Sequence, residues 1–272
     1  MCKALKFARS TYYEALVRVP SIKRQEYQNF SAEVKQCFEE NKKRYGALKI
    51  HRKLNEKGSP CSIKRVQRHM KRQALHSLVV KKYNHKANQG KVPDDKENVL
   101  NRDFKAETIN QKWVTDITYI HVQKEGWTYL ASVMDLHDRK IIGYAYGKNM
   151  TAELALKAVK NSSLNVKDTT GIILHSDLGS QYTSELFERY MEKNGFIHSF
   201  SRKGNPYDNA CMESFHSVMK KEEIYLNTYQ DFEECRKALF EYIESWYNRQ
   251  RIHSALGYKT PQQVEDEAIQ AA

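Results

Sequence analysis

Three acidic residues sit where carboxylate chemistry is possible: Asp116 in "KWVTDITYIHV", Asp177 in "HSDLGSQYTSELF" and Glu213 in "DNACMESFHSVMKKEEIY". Carboxylates gathered in one cleft repel one another, and a cation or protonation must relieve them. Asp116 shares a strand face with Val114, Thr118, Ile120 and Val122. Burying an ionised group there costs several kcal/mol unless a cation or a hydrogen-bond network accompanies it. Asp177 follows the short apolar strand "GIIL", and the carboxyl ends of strands in mixed sheets commonly present functional groups. Glu213 is expected on a helix entered through the loop "SRKGNPYDNA", whose Gly, Pro and Asn suggest mobility. Each acid also has an ordinary reading: a satisfied core polar group, a turn residue, a solvated helix carboxylate. With 33 Asp and Glu in the chain, spacings of 60 and then 35 intervening residues decide nothing alone.

The elements that must hold these acids begin after residue 110. "KWVTDITYIHV", "GWTYLASVMDLHD" and "RKIIGYAYGK" read as three consecutive antiparallel strands. "TAELALKAVKNSSL" and "SELFERYMEKNG" are helical, "GIIL" and "FIHSFS" are strands, and the remainder to "RIHSALG" is helical. Strands alternating with helices after a meander imply a mixed sheet covered by helices. Asp135 and Asp138 belong to a strand-to-strand turn, and His175 reads as a packed strand histidine. Arg249, Arg251 and His253 could touch DNA or form a basic helix end stopped by Gly257.

Upstream the pattern is helical. Ser31 is the expected cap of one helix, "ALKIHRKLNEKG" stops at Gly58, and Ser62 caps a helix with an apolar stripe of Ile63, Val66 and Met70. The opposite face carries Lys64, Arg65, Arg68, Lys71 and Arg72, which suits either DNA reading or a solvated surface. Charge tilts the balance: residues 1–100 hold 24 Lys and Arg against 9 Asp and Glu, whereas 101–272 hold 21 against 24. A basic module joined to a near-neutral one suits a polyanion such as nucleic acid. At 272 residues two domains are expected. The five cysteines are scattered without a CxxC pair and read as reduced thiols. No run of 18 apolar residues occurs, so a soluble intracellular protein without membrane contact is expected.

"WVTDITYI", "HSDLGSQYTS", "SRKGNPYDNACMESFHSVMKKE" and "YNRQRIHSALGYKTPQQV" closely resemble the DDE transposases of bacterial insertion sequences, specifically the second-reading-frame product of the "IS three" family. "MCKALKFARSTYYEAL" and "RYGALKIHRKL" resemble that family's N-terminal region. Leu178 and Phe200 depart from its usual residues without touching a catalytic position.

The resemblance implies an α/β RNase H-like (retroviral integrase) catalytic core with a mixed sheet, preceded by an all-α helix-turn-helix DNA-binding region. The expected parts are an N-terminal helical segment (1–25), the helix-turn-helix region (26–88), a linker (89–108), the catalytic core (109–226) and a C-terminal helical extension (227–272). It implies that Asp116, Asp177 and Glu213 are catalytic and hold Mg2+ or Mn2+, because hard ions take carboxylate oxygens and keep positions open for water and phosphate. Lys220 falls on the Glu213 face two turns on, and the resemblance has it contact terminal DNA; Lys64, Arg65, Arg68 and Arg72 are the other DNA-binding candidates. The implied reaction is 3′-end cleavage followed by strand transfer, with the first transfer joining one element end to the other. Implied partners are element ends, target DNA, further copies of the chain and the product of the upstream frame, in a bacterial cytoplasm at the nucleoid. The alternatives are an RNase H-like nuclease without strand transfer and a catalytically silent DNA-binding regulator.

Overall fold

Sequence period changes near residue 110, and the architecture changes with it. The computed structural model describes residues 8–17, 19–78, 97–202 and 206–271. The chain divides into two compact units, Met1–Leu78 and Val79–Ala272. Part of the expected linker (89–96), and residues 203–205 of the loop expected to be mobile, lie outside the described residues.

The first unit is helical among its described residues: α1 (Arg9–Val17), α2 (Ile22–Glu40), α3 (Ala47–Glu56) and α4 (Ile63–Arg72). Phe30, Val34, Phe38, Ile50, Leu54, Val66 and Met70 form the buried apolar faces of α2, α3 and α4. Ser62 caps α4 as expected, accepting from Arg65 N at 3.3 Å, and Gly58 adopts φ +84° in the turn, a conformation costly for any residue with a Cβ. The expected cap at Ser31 is wrong: α2 starts at Ile22 behind Ser21, whose hydroxyl accepts from Arg24 N. Ser31 lies in mid-helix, where its hydroxyl accepts from Gln73 Nε2 at 3.0 Å and meets His69 Nδ1 at 3.2 Å. A serine spent on a contact 38 to 42 residues away looks the same in sequence as one spent on its own helix.

The second unit is built on β1 (Lys112–Val122), β2 (Gly126–Asp135) and β3 (Ile141–Gly147), an antiparallel meander, then α5 (Ala152–Ser163), β4 (Ile173–Ser176), α6 (Glu185–Lys193) and β5 (Ile197–Phe200). The sheet order is β3-β2-β1-β4-β5, and β4 runs parallel to both β1 and β5. The expected mixed sheet is therefore present. Trp113, Ala131, Val133 and Ala145 pack with Ala155, Ala158 and Val159 of α5 and with Phe187 and Met191 of α6. Each fully buried Val, Leu or Phe in such a layer contributes about 1.5–3 kcal/mol.

Helix α5 lies so close to β3 that a Cβ built on Gly143 would stand 2.4 Å from Ser162 N and 2.6 Å from Ala158 O. Both obstacles are backbone, so neither can swing aside. Gly143→Ala is expected to lower the unfolding free energy by about 3 kcal/mol, the upper range for overpacking, read as a shifted urea midpoint; an unchanged midpoint would disprove the contact.

Beyond β5 come α7 (Ala210–Glu222), α8 (Phe232–Phe240), a π-helical stretch Glu241–Tyr247 and α9 (Pro261–Ala271). The expected helix running to Gly257 ends ten residues early. Tyr242, Ile243, Trp246 and Tyr247 are all buried, and Asn248 turns to the edge strand. Its amide Nδ2 donates to Ile141 O and its Oδ1 accepts from Ile141 N, both at 3.0 Å, so one side chain covers part of the open edge of β3. Gly257, at φ +64°, follows a short 3-10 turn and not a long helix.

Candidate active site

Parallel pairing sets the first two acids side by side. Val114 of β1 is in register with His175 of β4, so two residues further along each strand Asp116 neighbours Asp177, where β4 has ended and β1 continues. The two carboxylates interact: burial first, then the charge of Asp116, pushes the Asp177 carboxyl up to about 6, opposed by the hydrogen bond from Gly179 N at 3.0 Å. Asp177 is open to solvent on one side, yet enough protein surrounds it to strip hydration. A Cβ on Gly179 would stand 3.0 Å from Asp177 Oδ1 and 2.8 Å from Gln181 Oε1, so the turn passes close to the carboxylate.

Neighbouring strand residues hold the pair rigidly. His175 is fully buried between Ser199 Oγ at 2.9 Å and Ser201 Oγ at 3.0 Å, and burial pulls its pKa down to about 4, leaving it neutral. The packed-histidine reading is what the structure shows. Tyr182 lies buried with its hydroxyl 3.2 Å from Thr115 Oγ1, flooring the site beside Asp116. Asp135 and Asp138 serve their turn: Asp135 accepts from Asn110 N and His137 N, and Asp138 accepts from Lys140 N.

Helix α7 brings the third acid. Asn209, just before it, donates through Nδ2 to Thr115 O at 3.1 Å, tying the start of the helix to β1 one residue from Asp116. Glu213 lies exposed in the first turn, with His216 and Lys220 three and seven residues on along the same face. His216 Nδ1 stands 3.4 Å from Asp116 Oδ2, and its Nε2 stands 3.5 Å from Ser132 Oγ, so that face is turned to the acid. Lys220 is half-buried with Nζ 4.1 Å from the Tyr119 ring centroid; burial pulls its pKa down and the charge of Asp116 opposes this.

Asp116 and Asp177 are thus brought together. Among the described residues no three His, Cys, Asp or Glu side chains are gathered closely enough to hold an ion; Glu213 lies three residues before His216 on the helix that meets Asp116. The donor set fits a hard cation: two carboxylates, one of them raised by burial and by the charge of the other, and a longer acid on the helix whose His216 meets Asp116. His216 was missed by sequence reasoning, although its place three residues after Glu213 was a usable signal. With Asp116 a metal ligand, as the resemblance implies, His216→Ala is expected to lower metal-dependent cutting about 10- to 100-fold, as loss of an outer partner of a ligand does, with His216→Gln recovering part of it; an unchanged rate in both variants would remove His216 from the site.

Asp208 was also missed. It is fully buried and accepts from Asn98 Nδ2 (2.9 Å), Arg102 Nε (2.6 Å), and Arg202 N (2.9 Å), Nε (3.0 Å) and Nη2 (3.1 Å). Arg251 does not sit at a helix end stopped by Gly257: its Nε donates to Glu222 at 3.1 Å, a buried pair joining the end of α7 to the C-terminal segment. Of the basic candidates on α4, Lys64 and Arg68 are exposed. Arg65 lies 4.0 Å from the Phe30 ring centroid and Arg72 lies 5.4 Å from that of Tyr27, so both also pack on α2.

Comparison with known proteins shows the family and the fold. Two models described as integrase core domain match residues 106–206 and 194–261, and an HTH-like domain model matches 25–83. "Transposase InsF for insertion sequence IS3A" of Escherichia coli (strain K12) is 37% identical over 271 residues, 99% of this chain and 94% of the relative. "Transposase for insertion sequence element IS904" of Lactococcus lactis subsp. lactis (strain IL1403) is 37% identical over 249 residues, 91% of this chain and 98% of the relative. A chain of the cryoEM simian T-cell lymphotropic virus intasome with PP2A regulatory subunit B56 gamma superposes with TM-score 0.50 at 15% identity, covering 79% of this chain and 70% of that one.

Proposed function

We propose that this chain, which belongs to the IS3 family of insertion-sequence transposases, cuts the ends of its element and joins them to DNA with Asp116, Asp177 and Glu213. Membership makes it a transposase, a polynucleotidyl transferase whose substrate is DNA. One observation carries the finer reading: Asp177 set beside Asp116 by parallel strands, with His216 of the Glu213 helix meeting Asp116.

In the proposed reaction a water oxygen attacks the scissile phosphorus, the element's 3′-oxygen leaves, and the flanking strand keeps the 5′-phosphate. That 3′-hydroxyl then attacks a second phosphodiester, whose own 3′-oxygen leaves. Mg2+ or Mn2+ held by the three acids would neutralise charge on the attacking and leaving oxygens. His216 and Ile117 N, the latter donating to Asp116 Oδ1 at 2.8 Å, fix the first acid; Gly179 N fixes the second. Lys220 supplies a point charge for a phosphate of the end DNA. The family resemblance also supports further copies of this chain and the upstream-frame product as partners. Among the described residues no helix is long and apolar enough to cross a membrane.

The test is a gel assay of the full chain on labelled duplex carrying the element's terminal sequence, with and without EDTA. Cut and joined products that need magnesium are expected; cutting without joining would leave a nuclease, and neither product would leave a DNA-binding regulator.

The basic helix supplies a separate expectation. Lys64 and Arg68 are exposed on α4, so reversing both to Glu should weaken duplex binding by the full chain and flatten the log–log salt dependence by roughly two counterions. An unchanged salt slope in an anisotropy titration would move recognition elsewhere.

A further inference from the structure

At the far end of α7 from Glu213, a cleft of about 400 Å³ opens between the β1–β2 hairpin and the segment after α7. Its walls include Tyr119, His121, Trp127, Lys220, Tyr225 and Asn227. The aromatic side chains there are unusually open: Trp127 is 55% exposed, Tyr119 49% and Tyr225 50%. Tyr119 and His121 each meet the Trp127 indole nearly at right angles, with centroids 5.1 Å and 5.2 Å away, so neither ring stacks on it. Such surface is costly to leave in water, and its chemistry is that of a stacking platform. Lys220 joins it to the reaction centre, with Nζ 4.1 Å over the Tyr119 ring while its charge interacts with Asp116.

We propose that this cleft holds one unstacked nucleobase of the DNA end, with Lys220 on the phosphate of the same strand. The proposal rests on the cutting and joining function above and names a subsite for its substrate. Bases inside a duplex already stack on their neighbours, and unstacking costs least where a base is already single-stranded, so a frayed or overhanging end supplies the base that enters. Aromatic platforms accept any base, because every base has a flat π-face, and a neighbouring cation takes the backbone. Holding the end nucleotide in this way would keep its strand at the Asp116 end of the cleft while the phosphodiester is attacked.

Trp127 makes the proposal measurable, since Trp113 and Trp246 are 0% and 1% exposed and a base stacking in the cleft will quench the exposed indole alone. The probes are three duplexes of the element's terminal sequence: blunt, with a three-nucleotide overhang, and with that overhang abasic, bound by the full chain with calcium in place of magnesium. Quenching is expected with the intact overhang and not with the abasic one, and is lost in Trp127→Phe. In magnesium, Trp127→Ala and the abasic end should each slow joining roughly tenfold, and the two together no further, with Trp127→Phe recovering part of the Trp127→Ala loss. Equal quenching by intact and abasic ends, wild-type joining by Trp127→Ala, or additive losses would overturn the proposal. If the chain neither cuts nor joins in magnesium but shows base-dependent quenching, the cleft stands and the proposed reaction fails; if products form without such quenching, the reaction stands and the cleft holds no base.

Discussion

Asp177→Asn is expected to abolish cutting and joining together, by at least about a thousandfold, while the chain still binds end DNA and becomes more heat-stable in EDTA. Asparagine keeps the shape of the side chain and an oxygen to accept from Gly179 N, so the turn survives. What disappears is a charge that burial and Asp116 both disfavour, which is why the Asp177 carboxyl sits near 6. Removing a disfavoured charge from the folded state stabilises it. The same charge is what an ion at the site requires, and a reaction that relies on ligands acting as a unit does not survive the loss of one. Asp116→Asn and Glu213→Gln should be equally inactive. Loss of activity with a raised thermal midpoint separates chemistry from misfolding in one experiment. Substantial product from any of the three variants, or from wild type in EDTA, would show that these acids do not carry the reaction.

How far the sequence revealed this site depends on the range over which each feature is decided. Strand period is local, so β1, β2 and β3 were legible from alternating β-branched residues, and with them the face that Asp116 shares with Ile120 and Val122. Ser62 could be read as a cap because its partner, Arg65 N, lies three residues away. Ser31 could not, since its partners lie on α4, and the same serine satisfies a cap pattern or a tertiary bond. The C-terminal helix was overextended for a related reason. Asn248 leaves it to pair with Ile141, 107 residues earlier in the chain, and nothing near Asn248 announces an edge strand in need of cover. Family resemblance supplied Glu213 and Lys220; without it their residue types would have passed for solvated helix surface. His216 and Asp208 lie within the same quoted motif, yet their partners Asp116, Asn98 and Arg102 are brought to them only by the folded sheet and the segment before it.

Asp208 leads to the second large effect. The carboxylate is fully buried, and burial alone would raise its pKa; the hydrogen bonds from Arg202 and Arg102 outweigh that and hold it well below the usual carboxylate range. A depressed pKa stabilises the fold above the unfolded value, about 3.9, and that contribution is lost as pH falls through the folded one. In Asp208→Asn the new NH2 group meets guanidinium donors where an acceptor stood. Arg102 and Arg202 are roughly half exposed and can rehydrate, which keeps the cost near the lower end of that for breaking a buried pair, about 3 kcal/mol. The thermal midpoint should therefore fall by roughly 6–12 °C at pH 7, and the gap from wild type should close as pH drops below about 4. Function should fall as well, even well below the melting point. Asp208 precedes Asn209, whose bond to Thr115 O places α7 against β1, and Glu213 follows within the first turn of that helix. Loosening this start displaces the third acid from the other two, and misplacement on the ångström scale can cost about a hundredfold in rate. Cutting should thus drop at least tenfold while end binding changes little. A midpoint equal to wild type at pH 7, or a stability gap that persists undiminished to pH 2, would show that Asp208 does not anchor the catalytic helix through its charge.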